Sequence, residues 1–362
     1  MQNELDRYIK AVRNVKQKIA PDRRVAIFDV KVSRSGEQIV LKGELGNTKA
    51  WNEVKEAIQQ AGNPEFIDSI TILPEKTCLE QPYAFVRVSV APLRATPSKS
   101  AEMVTQALMG SVLKVLKVKR GWVYVQLTED NYLGWIDIDQ CVRQTQEQLD
   151  QWNNEPRVII TAAIDYIRNQ PSSTAQSVCD VTAGAVLSGK EYNKEWIAVA
   201  LPDGRNGYLI NTAGMDYQRW KESRNPVQEN IEKTARSFLG VPYLWGGTSP
   251  KGFDCSGFTK TVYKMNGITL QRDADQQGLA GENVPLEKNM DQLQKGDLLF
   301  FCAKPFSGIE KRITHVAIYM GKKEFIHCSG RVKFNSFDPS SPLFSENLLQ
   351  RLIKVKRVLP NK

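Results

Sequence analysis

Residues 243–258, YLWGGTSPKGFDCSGF, decide the fold of the C-terminal part of the chain. The span 246–250 combines two glycines with a threonine, a serine and a proline, a composition typical of a loop that approaches a ligand closely. Asp254 is a favourable N-cap residue, which places Cys255 at the first position of a helix. The sequence therefore predicts a loop that leads directly into a helix headed by a cysteine.

This helix is predicted to bury one face in a core. Phe258, Val262 and Met265 are spaced i, i+4, i+7, so their side chains lie on the same side of a helix. Gly267 follows and is expected to end the helix in a left-handed conformation, as glycine often does. The head of the helix, with Cys255, is thereby fixed against a packed layer.

The position of Cys255 suggests a reactive thiol. A thiol at a helix N-terminus is expected to have a lowered pKa because of the helix dipole and the free N–H groups there. The amide of Cys255 is also unpaired within the helix, so it can face a developing oxyanion. The alternative is a buried structural thiol, and the choice between them depends on a neighbouring base.

The two histidines of the chain, His315 in THVAIYMG and His327 in EFIHCSG, lie on consecutive predicted strands. A three-residue turn at 321–323 would pair Met320 with Glu324 and make the histidines diagonal neighbours on one face, roughly 7 Å apart at Cβ. A two- or four-residue turn would put them on opposite faces. A cysteine, a base and a group that orients the base form a cysteine hydrolase site; two buried core histidines are the alternative.

Five runs resemble the NlpC/P60 family of cell-wall peptidases. The resemblance implies that Cys255 is the nucleophile, His315 the general base and His327 the polar third member of the triad. It also implies a papain-like core, in which the helix that carries the cysteine packs on a small antiparallel sheet. The runs, in order over about 100 residues, are YLWGGTSPKGFDCSGF, LQRDADQQ, LQKGDLLFF, THVAIYMG and EFIHCSG.

Within this family the chain resembles γ-D-glutamyl-L-diamino acid endopeptidases of the dipeptidyl-peptidase VI type. That resemblance implies a pocket for a free L-Ala amine, with loop aromatics along its wall and Asp254 as one amine ligand. The family's Arg-Asp motif is often followed by Ser or Thr, whereas this chain has Ala274, so one hydroxyl contact is absent. The implied pocket residues are Tyr243, Trp245, Asp254, Ser256 and Asp273; loop packing, helix capping and surface polarity are the alternative roles.

Upstream of the catalytic segment, predicted here at 225–362, short strands and regular turns indicate two small β-barrels. They resemble bacterial SH3 domains, at 81–147 and, in a poorer copy, at 155–220. If the first closes one end of the active-site groove, the resemblance implies that Glu102 and Tyr132 reach the substrate amine. If the barrels instead attach the protein to cell wall, Glu102 is an ordinary surface carboxylate and Tyr132 a barrel aromatic.

Residues 1–80 are predicted to form a small separate α+β domain. Amphipathic helix signals at 4–18 are followed by two alternating strands, a second helix and a third strand. The order αββαβ resembles the BON domain by topology alone. The fold class predicted for the whole chain is therefore multi-domain α+β, with a papain-like catalytic domain preceded by two SH3-like barrels and this domain.

Composition and cysteine spacing limit the partners. The chain has 49 Lys and Arg against 40 Asp and Glu, a net charge of +9, but no basic run with interleaved aromatics, so no nucleic-acid partner is expected. No zinc pattern occurs, and no metal or other cofactor is expected. Free thiols favour a reducing compartment. The cysteines other than Cys255, none with C-x-x-C spacing, are Cys78, Cys141, Cys179, Cys302 and Cys328.

The expected function follows from the resemblance. It is hydrolysis of the γ-D-Glu–diamino acid bond in murein tripeptides or tetrapeptides with a free N-terminal L-Ala, by a monomer. An endopeptidase or amidase acting on intact wall, a catalytically inactive binding module and a cysteine acyltransferase remain alternatives. Since neither a signal peptide nor a membrane span is recognised, a cytoplasmic location is expected, or a periplasmic or envelope one if an export signal has been trimmed.

Overall fold

The structure, a computed structural model, describes residues 2–287, 289–303 and 312–360. Four groups of helices and strands follow one another along the chain, and each surrounds its own cluster of buried apolar side chains. Across these ranges, no helix combines the length and the apolar character needed to cross a bilayer. The predicted multi-domain α+β class is confirmed.

The N-terminal domain is a three-stranded sheet packed against two helices. Its first two strands are antiparallel and its last two are parallel, since the second helix connects them. The observed order αββαβ agrees with the sequence prediction. Its elements are α1 (Gln2–Ile19), β1 (Phe28–Ser35), β2 (Gln38–Leu45), α2 (Thr48–Gln60) and β3 (Phe66–Ile72).

Seven strands then form a sheet that we call barrel 1. Its order is β10-β4-β7-β8-β9-β5-β6, with antiparallel pairing throughout. The helix α3 (Gln146–Asn154) follows it, with a capping box at Thr145. The strands are β4 (Tyr83–Val86), β5 (Val90–Arg94), β6 (Met103–Leu108), β7 (Val112–Lys119), β8 (Trp122–Leu127), β9 (Leu133–Asp137) and β10 (Cys141–Gln144).

A second seven-stranded sheet, barrel 2, repeats the connectivity of barrel 1. Its order is β13-β12-β16-β15-β14-β11-β17, which, read from the opposite edge, is that of barrel 1 with each strand number raised by seven. Corresponding arginines bind corresponding carbonyls, since Arg94 donates to Ala101 O and Arg168 to Ala175 O, both at 2.9 Å. Its elements are β11 (Arg157–Ile160), β12 (Ile164–Arg168), β13 (Ser177–Thr182), β14 (Val186–Glu191), β15 (Trp196–Ala200), β16 (Asn206–Ile210), β17 (Gly214–Asp216) and α4 (Tyr217–Glu222).

The catalytic domain consists of a six-stranded antiparallel sheet and the helices packed on it. The sheet order is β20-β25-β21-β22-β23-β24, and α6 lies against β22 and β23. The elements are α5 (Gln228–Ser237), β18 (Thr248–Ser249), β19 (Gly252–Phe253), α6 (Cys255–Met265), α7 (Ala274–Gln277), β20 (Glu282–Asn283), β21 (Leu298–Cys302), β22 (Ile313–Gly321), β23 (Glu324–Ser329), β24 (Arg331–Ser336), α8 (Glu346–Arg351) and β25 (Leu352–Arg357).

The helix α6 begins and ends where the sequence predicts. The Asp254 side chain accepts a hydrogen bond from Gly257 N, Cys255 is the first helical residue, and Gly267 beyond the helix has a φ of +87°. The apolar face is buried as expected, but nearly every other residue of the helix is buried too. Barrel 1 covers the opposite side, where the buried Lys260 donates to Asp130. The spacing of apolar residues along the helix does not reveal this second buried face, because the contact there is made by polar side chains.

The hairpin between β22 and β23 has the predicted register in its body, although the predicted turn is wrong. Gly321 pairs with Glu324 across a two-residue turn, and both turn lysines have positive φ. A bulge between Tyr319 and Gly321 then absorbs one residue, so that Ile318 pairs with Ile326. This register continues to place Ala317 opposite His327, which keeps the two histidines on one face.

Candidate active site

A chain of hydrogen bonds fixes the two histidines and their tautomers. His315 Nε2 lies 2.8 Å from His327 Nδ1, and His327 Nε2 lies 2.9 Å from Asn335 Oδ1. The Asn335 amide nitrogen donates to Leu343 O at 3.0 Å, which turns its oxygen toward His327. His327 therefore donates through Nε2 and accepts through Nδ1, so that His315 carries its proton on Nε2. The free lone pair of His315 is then on Nδ1.

Cys255 is buried beside the strand that carries His315. The residue is 8% exposed, and the backbone amides of Val316 and Ser256 act to lower the pKa of its thiol. Burial nevertheless raises the pKa of the thiol to about 12, with the Asp254 charge acting in the same direction. The expectation of a lowered pKa is wrong, because desolvation outweighs the helix terminus and the two amides.

Both histidines are held in the neutral form. Burial lowers the pKa of His315 to about 3, and a charge on His327 would lower it further. Burial also lowers the pKa of His327 to about 4, although the hydrogen bond that His327 donates to Asn335 Oδ1 opposes this shift. The resting site is thus a neutral thiol with a neutral imidazole, suited to proton transfer at the moment of attack rather than to a preformed ion pair.

Arg272 organises the head of α6. Its guanidinium is 1% exposed and bonds to both carboxylate oxygens of Asp254, to Ser256 Oγ at 3.0 Å and to Thr105 Oγ1 at 2.8 Å. Asp254 also accepts from the amides of Gly246 and Gly257. Its oxygens are therefore surrounded by protein donors, and Asp254 and Ser256 lie on either side of Cys255 in the chain.

The predicted residues of barrel 1 contact the predicted residues of the catalytic domain. The Tyr132 hydroxyl donates to Asp273 Oδ2 at 2.8 Å, and the indole of Trp245 donates to Glu102 Oε1 at 2.8 Å. Burial, together with the Asp273 charge, raises the pKa of Tyr132, so the hydroxyl stays protonated as a donor. Trp245 is 62% exposed, which leaves one face of its ring open.

Tyr243 completes the wall of the site next to Cys255. Its ring is half-buried, and its backbone amide donates to Gly330 O at 2.9 Å, which anchors the start of the loop on the sheet. Burial raises the pKa of its phenol, and the Cys255 and Asp254 charges act in the same direction. The hydroxyl therefore remains a neutral donor close to the thiol.

The loop at 246–249 is built around β6 of barrel 1. Gln106 accepts from Thr248 N at 2.9 Å and from Ser249 Oγ at 3.2 Å. Gly246 has a φ of +77°, and a Cβ there would lie 2.3 Å from Met103 O. Only glycine satisfies both conditions. Barrel 1 therefore contacts the loop that leads to Cys255 directly.

Two residues that organise the site were not singled out from the sequence. Asn335 lies on β24, and nothing in the run RVKFNS marks it as a partner for a histidine. Arg272 is part of the motif LQRDADQQ, but nothing in that run indicates a function for its side chain. An arginine between two polar residues is typical of a solvated loop, so only the motif itself could have indicated its burial.

Comparison with known families agrees with this geometry. The model of the NlpC/P60 family matches residues 240–353, which contain the cysteine helix and the histidine strands. The model described as the bacterial dipeptidyl-peptidase Sh3 domain matches residues 93–140, within barrel 1.

Individual proteins are similar over longer stretches. The chain is 36% identical over 230 residues to a γ-D-glutamyl-L-lysine dipeptidyl-peptidase of Bacillus cereus, covering 62% of this chain and 66% of that one. It is 29% identical over 287 residues to dipeptidyl-peptidase 6 of Lysinibacillus sphaericus, covering 73% and 95%. A crystal structure of an NlpC/P60 family protein from Bacillus cereus superposes with a TM-score of 0.64 at 29% identity, covering 77% of this chain and all of that one.

A cysteine at a helix N-terminus, two hydrogen-bonded histidines on the adjacent sheet and a papain-like arrangement define a cysteine hydrolase. The chain therefore carries an NlpC/P60 domain together with a bacterial SH3 domain, and it is similar to hydrolases of this domain composition.

Proposed function

We propose that this protein hydrolyses the γ-D-Glu–diamino acid bond of murein stem peptides whose N-terminal L-Ala has a free amine. The observation that carries the proposal is the contact of Tyr132 with Asp273, which brings a barrel residue and a pocket carboxylate together close to the nucleophile. The names of the two relatives, a γ-D-glutamyl-L-lysine dipeptidyl-peptidase and a dipeptidyl-peptidase 6, support the same substrate class.

In the proposed reaction Cys255 Sγ attacks the γ-carbonyl carbon of D-Glu while His315 Nδ1 accepts the thiol proton. His327 and Asn335 hold the tautomer that leaves Nδ1 free. The amide of Cys255 stabilises the oxyanion, and His315 returns the proton to the departing amine of the diamino acid. Water, deprotonated by His315, then cleaves the thioester and releases L-Ala-γ-D-Glu.

The proposed amine site uses carboxylates that differ in their remaining hydrogen-bonding capacity. Asp273 and Glu102 have oxygens available for a ligand, whereas those of Asp254 are surrounded by protein donors, so Asp254 contributes mainly its charge. Ser256 and Tyr132 hold these carboxylates in place. The rings of Tyr243 and Trp245 line the path from the amine to the thiol.

A second candidate is an endopeptidase or amidase acting on intact wall, with the barrels as anchors. Barrel 2 favours this candidate, because Tyr166 and Tyr192 are about half exposed on its surface and aromatic rings suit stacking on sugars. The two functions differ in whether the amine beyond the scissile bond must be free.

The test compares L-Ala-γ-D-Glu-diaminopimelate with the same tripeptide acetylated on L-Ala, each product being identified by mass spectrometry. Blocking the amine leaves site carboxylates unpaired, at roughly 1.5–3 kcal/mol per charge-assisted bond, so the rate is expected to fall by at least about a hundredfold for two bonds. Equal rates on the two peptides would contradict the proposal and favour action on intact wall. Lysine-containing tripeptide in parallel determines which diamino acid is preferred.

A further inference from the structure

The N-terminal domain reaches the proposed amine site through one side chain. Arg24 lies in the segment between α1 and β1, outside both barrels and the catalytic domain. Its guanidinium donates to Asp273 Oδ2 and to both oxygens of Asp275, each at 2.8 Å. We propose that Arg24 is a positioning residue that holds Asp273 for the substrate amine, and that the N-terminal domain is thereby a part of the substrate site.

The segment that carries Arg24 is attached on both sides. Leu133 N in β9 donates to Arg24 O at 2.8 Å, and Gln126 Nε2 in β8 donates to Val25 O at 2.9 Å, which secures the backbone to barrel 1. Asp22 accepts from Arg24 Nε at 2.9 Å and from Gln276 Nε2 at 2.7 Å. The guanidinium is thus aimed before any substrate arrives, which is the condition for a positioning role.

The contacts on Asp273 explain what Arg24 does. Asp273 Oδ2 is shared by the Arg24 guanidinium and the Tyr132 hydroxyl, which fixes the plane of the carboxylate. Asp273 Oδ1 has Arg272 at 3.8 Å, and the side chain also takes part in a capping box with Gln276, so a ligand would use the remaining accepting capacity of this carboxylate. The planar guanidinium of Arg24 lies between the carboxylates of Asp273 and Asp275 in a fixed geometry. Its positive charge therefore offsets the repulsion between these two negative groups.

The charge balance of the site leaves negative charge for the substrate ammonium even with Arg24 in place. With all groups ionised, four carboxylates face two guanidiniums, which leaves an excess of two negative charges for an incoming ammonium. Arg24 has every side of its guanidinium engaged by carboxylates, so it is not available to bind a substrate carboxylate. The groups counted are Asp22, Asp254, Asp273, Asp275, Arg24 and Arg272.

This inference rests on the proposed function, and its test uses the full chain with the free and the acetylated tripeptide. Arg24→Gln is expected to raise KM for the free-amine peptide about tenfold, the value of one charge-assisted hydrogen bond, with kcat changed less than about twofold. Arg24→Lys keeps the positive charge but cannot donate from two planar nitrogens at once, so its KM for the free-amine peptide is expected to lie between those of wild type and Arg24→Gln. The matched control is Arg23→Gln, an exposed neighbour with the same change of charge, which is expected to behave as wild type.

The acetylated peptide distinguishes a specific effect of Arg24 on amine binding from a general disruption of the active site. The kcat/KM for this peptide is expected to stay the same in Arg24→Gln, because no amine is bound. A folded Arg24→Gln protein with wild-type KM, or an equal loss on both peptides without recovery by lysine, would overturn the inference. If Arg24→Gln does not fold, Arg24→Lys decides, since it is expected to raise KM for the free peptide alone. Should wild type itself fail to discriminate between the peptides, the proposed function falls and this inference with it.

Discussion

Lys260, on the second turn of the helix that begins with Cys255, donates to Asp130 of barrel 1 at 2.8 Å, and both side chains are buried. Asp130 Oδ1 in turn accepts from Tyr132 N at 3.0 Å. One carboxylate therefore connects the helix of the nucleophile with the tyrosine that contacts Asp273, so the two halves of the site are held in a common frame.

Replacing Asp130 by Asn is expected to destabilise the protein by roughly 3 kcal/mol. Asparagine still accepts from Tyr132 N, but Lys260 is left buried without its charge partner, the situation in which ion pairs matter most. The expected loss in the free energy of unfolding lies at the low end of the range for breaking a buried ion pair, because Glu129 remains 3.4 Å from Lys260. Urea unfolding measures it. Glu53→Gln, which breaks an exposed pair with Lys18, should cost at most about 1 kcal/mol and serves as the control.

Cys255→Ala and Cys255→Ser are each expected to abolish peptide hydrolysis while leaving the circular dichroism spectrum unchanged, because no other nucleophile faces the site in the proposed mechanism. His315→Ala should lose nearly as much, since the thiol then lacks its proton acceptor. Cys179→Ser, in barrel 2, should retain full activity and controls for loss of a thiol. A folded and active Cys255→Ala protein would refute the mechanism.

Asn335→Leu is expected to lower kcat about tenfold, because losing one hydrogen bond of about 1–1.5 kcal/mol allows His327, and hence His315, to adopt the wrong tautomer. Asn335→Asp still accepts from His327 Nε2 and should stay close to wild type. In the same series His327→Asn should be milder than His327→Ala, since an amide oxygen can accept the His315 proton. Equal rates for the Leu and Asp variants would contradict this account of the tautomer.

Stability is expected to fall as the pH is lowered from about 6.5 to 5. The pKa values of His315 and His327 are about 3 and about 4 in the folded protein, against 6.5 for an ordinary histidine, so the unfolded chain binds more protons in this window. Each histidine contributes a slope of up to about 1.4 kcal/mol per pH unit. Urea midpoints at pH 7, 6 and 5 measure the effect, and His327→Asn should flatten the profile. The same midpoint at all three pH values would contradict the burial of neutral imidazoles.

Glu102→Ala and Tyr132→Phe are each expected to raise KM for the free-amine tripeptide, with little change for the acetylated one. The carboxylate is lost from the amine site in the first variant, and the hydrogen bond that holds Asp273 is lost in the second. Deleting residues 1–150 should impair cleavage of the same soluble peptide, because a site open to water lowers the worth of charge pairing to about 1 kcal/mol or less. Undiminished activity of the segment 225–362 would instead identify the barrels as wall anchors.

Local patterns predicted the parts of the site that lie within one element. The capping residue Asp254 placed Cys255 at a helix terminus, and alternation along two strands placed both histidines on one face. The turn between the two strands has two residues instead of the predicted three. A bulge next to the turn contains one additional residue, so the pairing of the two strands beyond it is the predicted one. Bulges of this kind depend on how the hairpin twists and are not marked by a residue type in YMGKKEF.

Contacts between elements far apart in sequence could not be predicted in the same way. Arg24 and Arg272 each contact residues of another domain from a stretch with no periodic signal, and Asn335 meets His327 from the neighbouring strand. The raised pKa of Cys255 belongs to the same class, since it depends on how completely neighbouring elements cover the thiol.

The two barrels offer a comparison within one polypeptide. They share corresponding backbone hydrogen bonds: Ala95 N donates to Glu102 O as Asn169 N does to Gln176 O, and Leu127 N donates to Tyr132 O as Leu201 N does to Arg205 O across a turn one residue shorter. Glu102 and Tyr132 therefore correspond to Gln176 and Arg205, which preserve the backbone but lack the carboxylate and the phenol. Under the proposed function, the same strand scaffold is thus present twice in one chain, and the two side chains, rather than the fold, distinguish the barrel that meets the substrate from the barrel that does not.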